Sequence, residues 1–241
     1  VREELVKWRR HNLTLPIWWR DDDATEPSKK LDRLLWQSEH FGVPIHLAII
    51  PRDATDELAQ FVAERDALVP VVHGWSHTNH QPLLDRKCEF GDARSVEVRR
   101  DEAEQGLSRL NELMGDKLAK MFVPPWNRVP PDFLPELKSL GYSSFSTCNP
   151  RAATEAVPGL EQINTHIDPL YWRPAKKMSN PELIIEKTTN LLKQRRQGKI
   201  DNTEPLGLLT HHKAHGPRVW DFCRQYWSEI LEGPTEVYRA A

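Results

Sequence analysis

Short apolar runs alternate with amphipathic segments along this chain of 241 residues. Apolar runs bounded by Pro, Gly or charged residues are typical of strands that are buried on both faces. They predict strands at residues 15–19, 43–50, 69–72, 119–123 and 206–210, with weaker candidates at 143–147 and 160–165.

Apolar positions recur at helical spacing between most of these strands. Ser28 is a suitable N-cap for a helix that runs to residue 41, and Gly42 is a suitable end. The same spacing predicts helices that begin at Thr55 and that span residues 95–114, 132–140, 181–196 and 219–231. Strands that alternate with helices indicate parallel βα units, so the predicted fold class is α/β.

Composition limits the function further. The formal net charge of −2 gives no electrostatic footprint for nucleic acid. No apolar run approaches the length that spans a membrane. The three cysteines are scattered and odd in number, which does not suggest a disulfide framework. We therefore expect one domain over residues 1–241 in a reducing, cytoplasmic setting, with no nucleic-acid or membrane partner.

Polar clusters directly follow four of the predicted strands. They begin at Asp21, His73, Pro124 and His211. In a βα barrel the carboxyl ends of the strands converge on one face, where active sites are built. The four clusters therefore predict one site at that face.

Two of these clusters carry metal-ligand chemistry. His73 and His77 are imidazoles at the end of a strand, and with one carboxylate they suit a first-row divalent ion that keeps open positions. Asp21, Asp22 and Asp23 repel one another, and a cation among them would offset that repulsion. The structural alternatives are loop histidines that bond to the backbone and an aspartate run that caps the next helix.

The other clusters offer groups for substrate and for proton transfer. The face of Trp126 suits a sugar ring and Asn127 suits its hydroxyls, although the segment can equally be a rigid loop. His211 or His212 could protonate a leaving amine, and a buried, backbone-bonded histidine is the alternative. His80 is either a third ligand or a surface or supporting residue.

Taken in order, the clusters resemble the motifs of the polysaccharide deacetylase (NodB-like, carbohydrate esterase) superfamily, over residues 16–227. The family's first motif is a strand followed by Asp-Asp and a small residue. WRDDDA matches it with Asp22 as the base and Asp23 as the metal ligand, and Asp21 with Asp22 is the alternative register. The second motif is His-Ser/Thr-x-x-His, and HGWSH matches its spacing at His73 and His77.

The third motif of the family, Arg-x-Pro-x-Gly, is matched only in part. In FVPPWN, Val123 stands where the family has an arginine that tunes the base. Arg20 and Arg128 are the candidates to replace it.

The last two motifs have looser counterparts. Asp168 and Trp172 resemble the Asp and Trp of the fourth motif. LLTHH resembles the Leu-x-His of the fifth motif, with His211 as the general acid and His212 as the second choice.

The resemblance implies a distorted (β/α)7, TIM-like barrel and a metal-dependent deacetylase that acts on an N-acetylated sugar or a related small amide. Asp23, His73 and His77 would hold the divalent metal, with zinc favoured over cobalt, nickel or iron. Asp22 would be the base and His211 the acid. The expected substrate-binding residues are Asp21, His80, Trp126, Asn127, Asp168, Trp172 and His212.

Three other functions stay open at this point. One is a C–N hydrolase of the same fold that acts on a cyclic amide or ureide. Another is a non-catalytic carbohydrate-binding barrel, which the missing arginine favours. A two-His-one-carboxylate iron oxygenase is the third, and the βα alternation disfavours it. The loop at residues 81–92 is long enough to act as a lid, with Glu89 and Arg94 as polar candidates.

Overall fold

The computed structural model describes residues 1–172 and 177–240. The helices in these ranges are α1 (Arg2–Arg10), α2 (Lys29–Phe41), α3 (Asp56–Ala63), α4 (Val96–Met114), α5 (Leu134–Ser139), α6 (Pro181–Arg196) and α7 (Pro217–Ile230). The strands are β1 (Leu15–Ala24), β2 (Ile45–Ile49), β3 (Leu68–Val72), β4 (Met121–Phe122), β5 (Ser144–Phe145), β6 (Glu155–Val157), β7 (Leu160–Gln162), β8 (Leu170–Tyr171), β9 (Lys177–Met178), β10 (Leu206–Thr210) and β11 (Thr235–Val237).

A parallel sheet organises the structure. Its strand order is β10-β1-β2-β3-β4-β5-β7-β6, and every neighbouring pair except β7 and β6 is parallel. Strand β11 pairs with the first residues of β1, and β8 pairs with β9 away from the main sheet. A single bridge joins Ile167, after β7, to Leu208 in β10. The predicted α/β class with a parallel sheet is therefore confirmed.

Each face of the sheet carries its own apolar cluster, because side chains alternate along a strand. Trp18 lies in an inner cluster with Val71 and Met121, whereas Trp19 lies in the larger outer cluster beneath the helices. Both indoles are fully buried, and each N–H has a partner: Trp18 Nε1 donates to Asn164 O at 3.0 Å and Trp19 Nε1 donates to Thr210 Oγ1 at 2.9 Å.

The helix ends agree with the predicted caps. Ser28, Thr55 and Ser95 each accept a hydrogen bond from the backbone N–H three residues on, which begins α2, α3 and α4. Gly42 ends α2 in the left-handed conformation, with φ of 65°. Helix α6 and strand β10 have the predicted bounds.

The differences from prediction concern pairing between distant segments. Strand β1 continues to Ala24 because Asp21 and Ala24 both pair with β2, on either side of a shift in register. Strands β4, β5 and β7 are shorter than predicted, and α1 and β11 were not predicted. The pairing of β11 with the start of β1 supports our proposal of a single domain over residues 1–241. Among the helices described, none has the length and apolar character needed to cross a bilayer.

His46 in β2 is held neutral by its surroundings. Its side chain is fully buried, Nε2 accepts from the Ala240 N–H at 2.9 Å, and Nδ1 therefore carries the proton toward Trp19 O at 3.1 Å. A second proton on Nε2 would face an N–H donor. Burial, together with the charge of Arg239, lowers the pKa of His46 to about 4.

This buried histidine predicts loss of stability in acid. The pKa of His46 is about 6.5 in the unfolded chain and about 4 in the folded one, so the unfolded state binds more protons between these values. The free energy of unfolding contributed by this group therefore falls by about 2 kcal/mol between pH 7 and pH 5. Urea unfolding of His46→Gln should show a pH dependence smaller by that amount. The exposed His11→Gln is the control, and equal pH dependence in wild type and His46→Gln would contradict the prediction.

Candidate active site

The three adjacent aspartates of β1 point to different surroundings because the strand carries one extra residue there. Asp21 pairs with Leu47 and Ala24 with Ile49, so two residues of β1 oppose one residue of β2. Asp23 has a φ of 77°, in the left-handed region that favours glycine. As a result Asp22 and Asp23 both line one cavity of about 800 Å³.

Asp21 lies on the outer face of the sheet and is fully buried. Its carboxylate accepts hydrogen bonds from Thr210 Oγ1 at 2.6 Å, from the His212 N–H at 2.9 Å and from His212 Nδ1 at 2.5 Å. Neither Asp21 nor His212 is among the side chains that line the cavity. The prediction that these two residues bind substrate is therefore wrong, because they bind each other inside the protein. The same geometry disfavours the register with Asp21 as base and His212 as acid.

Asp23, His73 and His77 form a group whose donor atoms lie within 4.8 Å of one another. Asp23 Oδ1 is 3.2 Å from His73 Nε2 and 3.3 Å from His77 Nε2. Two atoms that each bind a tetrahedral zinc at about 2.0–2.1 Å stand about 3.3 Å apart. His73 Nδ1 donates to Val123 O at 2.9 Å, which leaves the Nε2 lone pair for a ligand. The donor set and its orientation fit a divalent cation.

The same proximity sets the charge of the three side chains. Burial opposes ionisation of Asp23, but the hydrogen bond and charge of His73 hold the pKa of Asp23 well below its usual range. Burial likewise opposes protonation of His73, yet the carboxylates of Asp22 and Asp23 raise its pKa. Burial and the neighbouring His73 lower the pKa of His77. The Asp23 carboxylate is thus kept in the ionised form that binds a cation.

The loop between the two histidines is held from behind by Glu89. Its carboxylate is fully buried and accepts hydrogen bonds from Ser76 N at 2.7 Å, from Ser76 Oγ at 2.8 Å and from Trp75 N at 3.3 Å. Gly74 has a φ of 60°, and a Cβ there would stand 2.2 Å from Glu89 Oε2. A Ser or Thr side chain has no room at position 74, because the Glu89 carboxylate and the Pro125 ring occupy that space.

This arrangement corrects the expectation that Glu89 and Arg94 are polar groups of a lid. Glu89 faces the loop of the histidines rather than the cavity. Arg94 forms a two-bond pair with Glu102, at 2.7 and 2.8 Å, and donates to Glu89 O at 2.6 Å. Both side chains anchor the segment.

Arg20 is the partner of Asp22. Its Nε and Nη2 donate to the two oxygens of Asp22 at 2.9 and 3.0 Å. Its remaining N–H groups donate to Asn127 Oδ1 at 2.6 Å, to Ser146 Oγ at 2.7 Å and to Thr147 O at 3.2 Å. All five donors of this fully buried guanidinium are used. Of the two candidates for the missing third-motif arginine, the structure brings Arg20 to Asp22.

His211 directly follows β10, which pairs with β1 on the edge opposite β2, and its side chain lines the cavity. Its Nε2 is 3.9 Å from Asp22 Oδ2, and its ring packs edge to face against Trp172 with centroids 4.5 Å apart. Trp172 Nε1 donates to Asp168 Oδ2 at 2.9 Å. Burial raises the pKa of Asp168, and the His211 charge opposes that rise. The structure thus brings His211, Asp168 and Trp172 together, as predicted.

The remaining predicted site residues are Trp126 and Asn127, which lie on the cavity wall, and His80, which does not. Trp126 and Asn127 line the cavity, and both have a positive φ, of 58° and 56°. The Trp126 ring packs on His77 with centroids 4.4 Å apart. Asn127 Oδ1 is engaged by Arg20, so this residue supports the site as well as lining it. His80 is neither in the ligand group nor on the cavity wall, and its backbone N–H donates to Cys88 O.

No protein-family model matches the sequence, and no curated protein matches it. Solved structures do match. A Mycobacterium smegmatis protein assigned to the polysaccharide deacetylases shares 16% identity, with a TM-score of 0.69 over 95% of this chain and 87% of that one. A Streptococcus mutans CE4 esterase shares 11% identity, with a TM-score of 0.62 over 99% and 91% of the two chains. A family 4 carbohydrate esterase from Streptomyces lividans, in complex with acetate, shares 12% identity, with a TM-score of 0.56 over 92% and 91%.

These likenesses show the fold. The chain has the NodB-type fold of the polysaccharide deacetylases and CE4 esterases, so the resemblance seen in its motifs is confirmed at the level of architecture.

Sequence reasoning did not identify Glu89 as the residue that holds the histidine loop. It also did not identify Ser146 and Thr147 as acceptors of hydrogen bonds from Arg20. The one local signal is Gly74, where the motif has Ser or Thr and where the structure places the Glu89 carboxylate and the Pro125 ring. Nothing local marks Ser146, because its contact with Arg20 crosses 126 residues of chain.

The contacts of Glu89 predict that this side chain sets the affinity of the histidine loop for metal. Glu89→Ala removes the acceptor of the Trp75 and Ser76 N–H groups, so these amides should exchange with solvent more than tenfold faster. Zinc affinity should fall by about 10- to 100-fold, as for other groups that orient metal ligands. Hydrogen exchange and zinc titration measure the two effects.

The matched control for this experiment is Glu104→Ala, an exposed glutamate of α4. It should leave both the exchange rates and the zinc affinity at wild-type values. Wild-type exchange at Ser76 in Glu89→Ala would contradict the assigned role.

Proposed function

We propose that the protein is a metal-dependent hydrolase that removes an acetyl group from an N-acetylated sugar or a related small amide. The observation that carries this proposal is the Asp23, His73 and His77 group, with Asp22 and His211 on the wall of the same cavity. The cavity thus holds ligands, a base and an acid within reach of one another.

The proteins that share the fold support the chemistry. One is a family 4 acetyl xylan esterase from Clostridium thermocellum in complex with cobalt, and another is the Bc1960 peptidoglycan N-acetylglucosamine deacetylase. The Streptomyces lividans esterase was solved with acetate. Each of these is described as acting on an acetylated carbohydrate or as binding the acid that such a reaction releases.

Asp23, His73 and His77 would hold the divalent ion, with zinc as the first choice among cobalt, nickel and iron. When bound there, such an ion supplies a Lewis acid and lowers the pKa of water at its open position. Asp22 is held by two hydrogen bonds from Arg20 and is positioned to accept a proton from the attacking water. His211 is positioned to deliver a proton to the leaving nitrogen.

Arg20 prevents Asp22 from turning toward the ion. Both oxygens of Asp22 are engaged by one guanidinium, so this carboxylate stays in a fixed orientation and Asp23 remains the ligand. The proposed division of roles between two adjacent aspartates therefore rests on Arg20. The pairing also argues against a decayed, non-catalytic carbohydrate-binding barrel, since the base retains an arginine.

The proposal predicts which substitutions remove the metal. Asp23→Ala and His73→Ala should each lose nearly all bound zinc, because a site of three protein ligands is reduced to two. His80→Ala should keep it, since His80 lies outside the ligand group. Metal content of the purified proteins, after equilibration with zinc and desalting, tests this. Full zinc retention by Asp23→Ala would show that the ligand set is wrong.

The proposal also predicts which substitutions stop the reaction without removing the metal. Asp22→Asn and His211→Gln should bind zinc normally and lower kcat for acetate release by about 10²- to 10⁴-fold, the contribution of a positioned acid or base. His212→Gln should keep most of the activity if it folds, because His212 does not reach the cavity.

The substrate screen decides between the proposal and its alternatives. It should include N-acetylated sugars, cyclic amides and ureides, with release of acetate or of the ring-opened acid as the readout. Turnover of a ureide alone would favour the cyclic C–N hydrolase. Sugar binding without turnover in zinc-loaded protein would favour the carbohydrate-binding barrel.

A further inference from the structure

The catalytic cavity is lined by three cationic side chains that the proposed chemistry does not use. They are Lys87, Arg128 and Lys187. Lys87 and Arg128 belong to the wall near Trp126, and Lys187 comes from helix α6. A neutral acetylated sugar requires no positive charge beyond that of the ion.

The carboxylates of the cavity already have partners of their own. Arg20 pairs with Asp22 through two hydrogen bonds. The two ligand histidines lie against Asp23. A backbone N–H and the indole of Trp172 donate to Asp168. None of these carboxylates forms an ion pair with one of the three cations.

The cations themselves lack acidic partners within the described part of the chain. Lys87 stands over the ring of Trp126 at 5.8 Å, and Arg128 donates to the Lys87 carbonyl at 2.9 Å. For Lys187, no hydrogen bond or ion pair to the described residues exists. Lys187 therefore has an ammonium that no described carboxylate neutralises, and Lys87 differs from it only by lying over the Trp126 ring.

Lys187 also stands where the catalytic cavity meets a second one. The neighbouring cavity has a volume of about 940 Å³ and shares Asp168, Ile184 and Lys187 with the first. Its other charged side chains are Arg218 and Asp221, one of each sign. A substrate that extends out of the catalytic cavity in this direction passes Lys187.

We propose that the substrate is an N-acetylated sugar that carries an anionic group, a carboxylate or a phosphate, close to the scissile amide, and that Lys187 binds this group. The inference rests on the proposed deacetylase function and adds the substrate class. A strongly hydrated ammonium at the mouth of a cavity recognises either anion as a point charge.

The test compares acidic and neutral substrates of equal size. One pair is a tetrasaccharide of alternating glucuronate and N-acetylglucosamine against the tetrasaccharide of N-acetylglucosamine alone. The other pair is N-acetylglucosamine 1-phosphate against N-acetylglucosamine. The measured quantity is the ratio of kcat/KM for acetate release, acidic over neutral, in zinc-loaded protein. Whichever pair shows the preference identifies the anion.

We expect wild-type protein to prefer one acid by about threefold to fivefold, as for a solvent-exposed charge pair, and to lose the preference at high salt. Lys187→Gln should bring the ratio to about one, and Lys187→Arg should restore it. Lys193→Gln is the matched control, since it removes the same charge from an exposed position of α6 outside both cavities. The control should keep the wild-type ratio.

Two outcomes would overturn the inference: no preference for either acid in wild type, or a preference that Lys187→Gln leaves unchanged. Turnover of neutral sugars in those cases would leave the proposed function intact. If no substrate releases acetate, the proposed function fails, and calorimetric titration of the same four sugars decides the inference separately. Tighter binding of an acid to wild type than to Lys187→Gln then supports it, and equal binding overturns it.

Discussion

One additional residue in β1 is the constraint on which the candidate site depends. Side chains of a regular strand alternate, so Asp21 and Asp23 would share the outer face and only Asp22 would point inward. The bulge after Asp21, completed by the left-handed backbone of Asp23, turns two consecutive carboxylates into one cavity. The backbone cost of that conformation is of order 1–3 kcal/mol, and such costs concentrate at functional sites. His77, Trp126 and Asn127 share the left-handed region and the same cavity.

The sequence was sufficient for the parts of this site that follow from local rules. The apolar runs of β3 and β10 end where those strands end, and the polar residues directly after them converge as the parallel topology requires. The spacing of His73 and His77 in the sequence likewise brings both imidazoles into one group of possible metal ligands. These features are set by neighbours in the chain, and a pattern of residue types is enough to predict them.

The parts that depend on distant segments could not be predicted in this way. Asp21 and Asp22 are identical in sequence terms, and only the pairing with β10 and the reach of Arg20 separates a buried structural carboxylate from the one on the cavity wall. Glu89 lies 13 residues from Ser76 in a segment without regular structure, so its function as an anchor is visible only in the folded chain. The short strands β4 and β5 similarly owe their bounds to neighbours in the sheet.

Arg20 and Asp22 stand two residues apart on one strand, and this has a consequence for how the sequence can diverge. Where a base and its arginine come from different strands, each loop must keep its length and path for the two to meet. Here Arg20 and Asp22 belong to one short segment, since the alternation of side chains along β1 brings both to the same face. The turn after β4 therefore does not need to supply an arginine. It contributes Asn127, which accepts a hydrogen bond from Arg20, and Trp126, which lines the cavity. Apart from Asn127, that turn is free to change its composition while the pair of Arg20 and Asp22 stays intact.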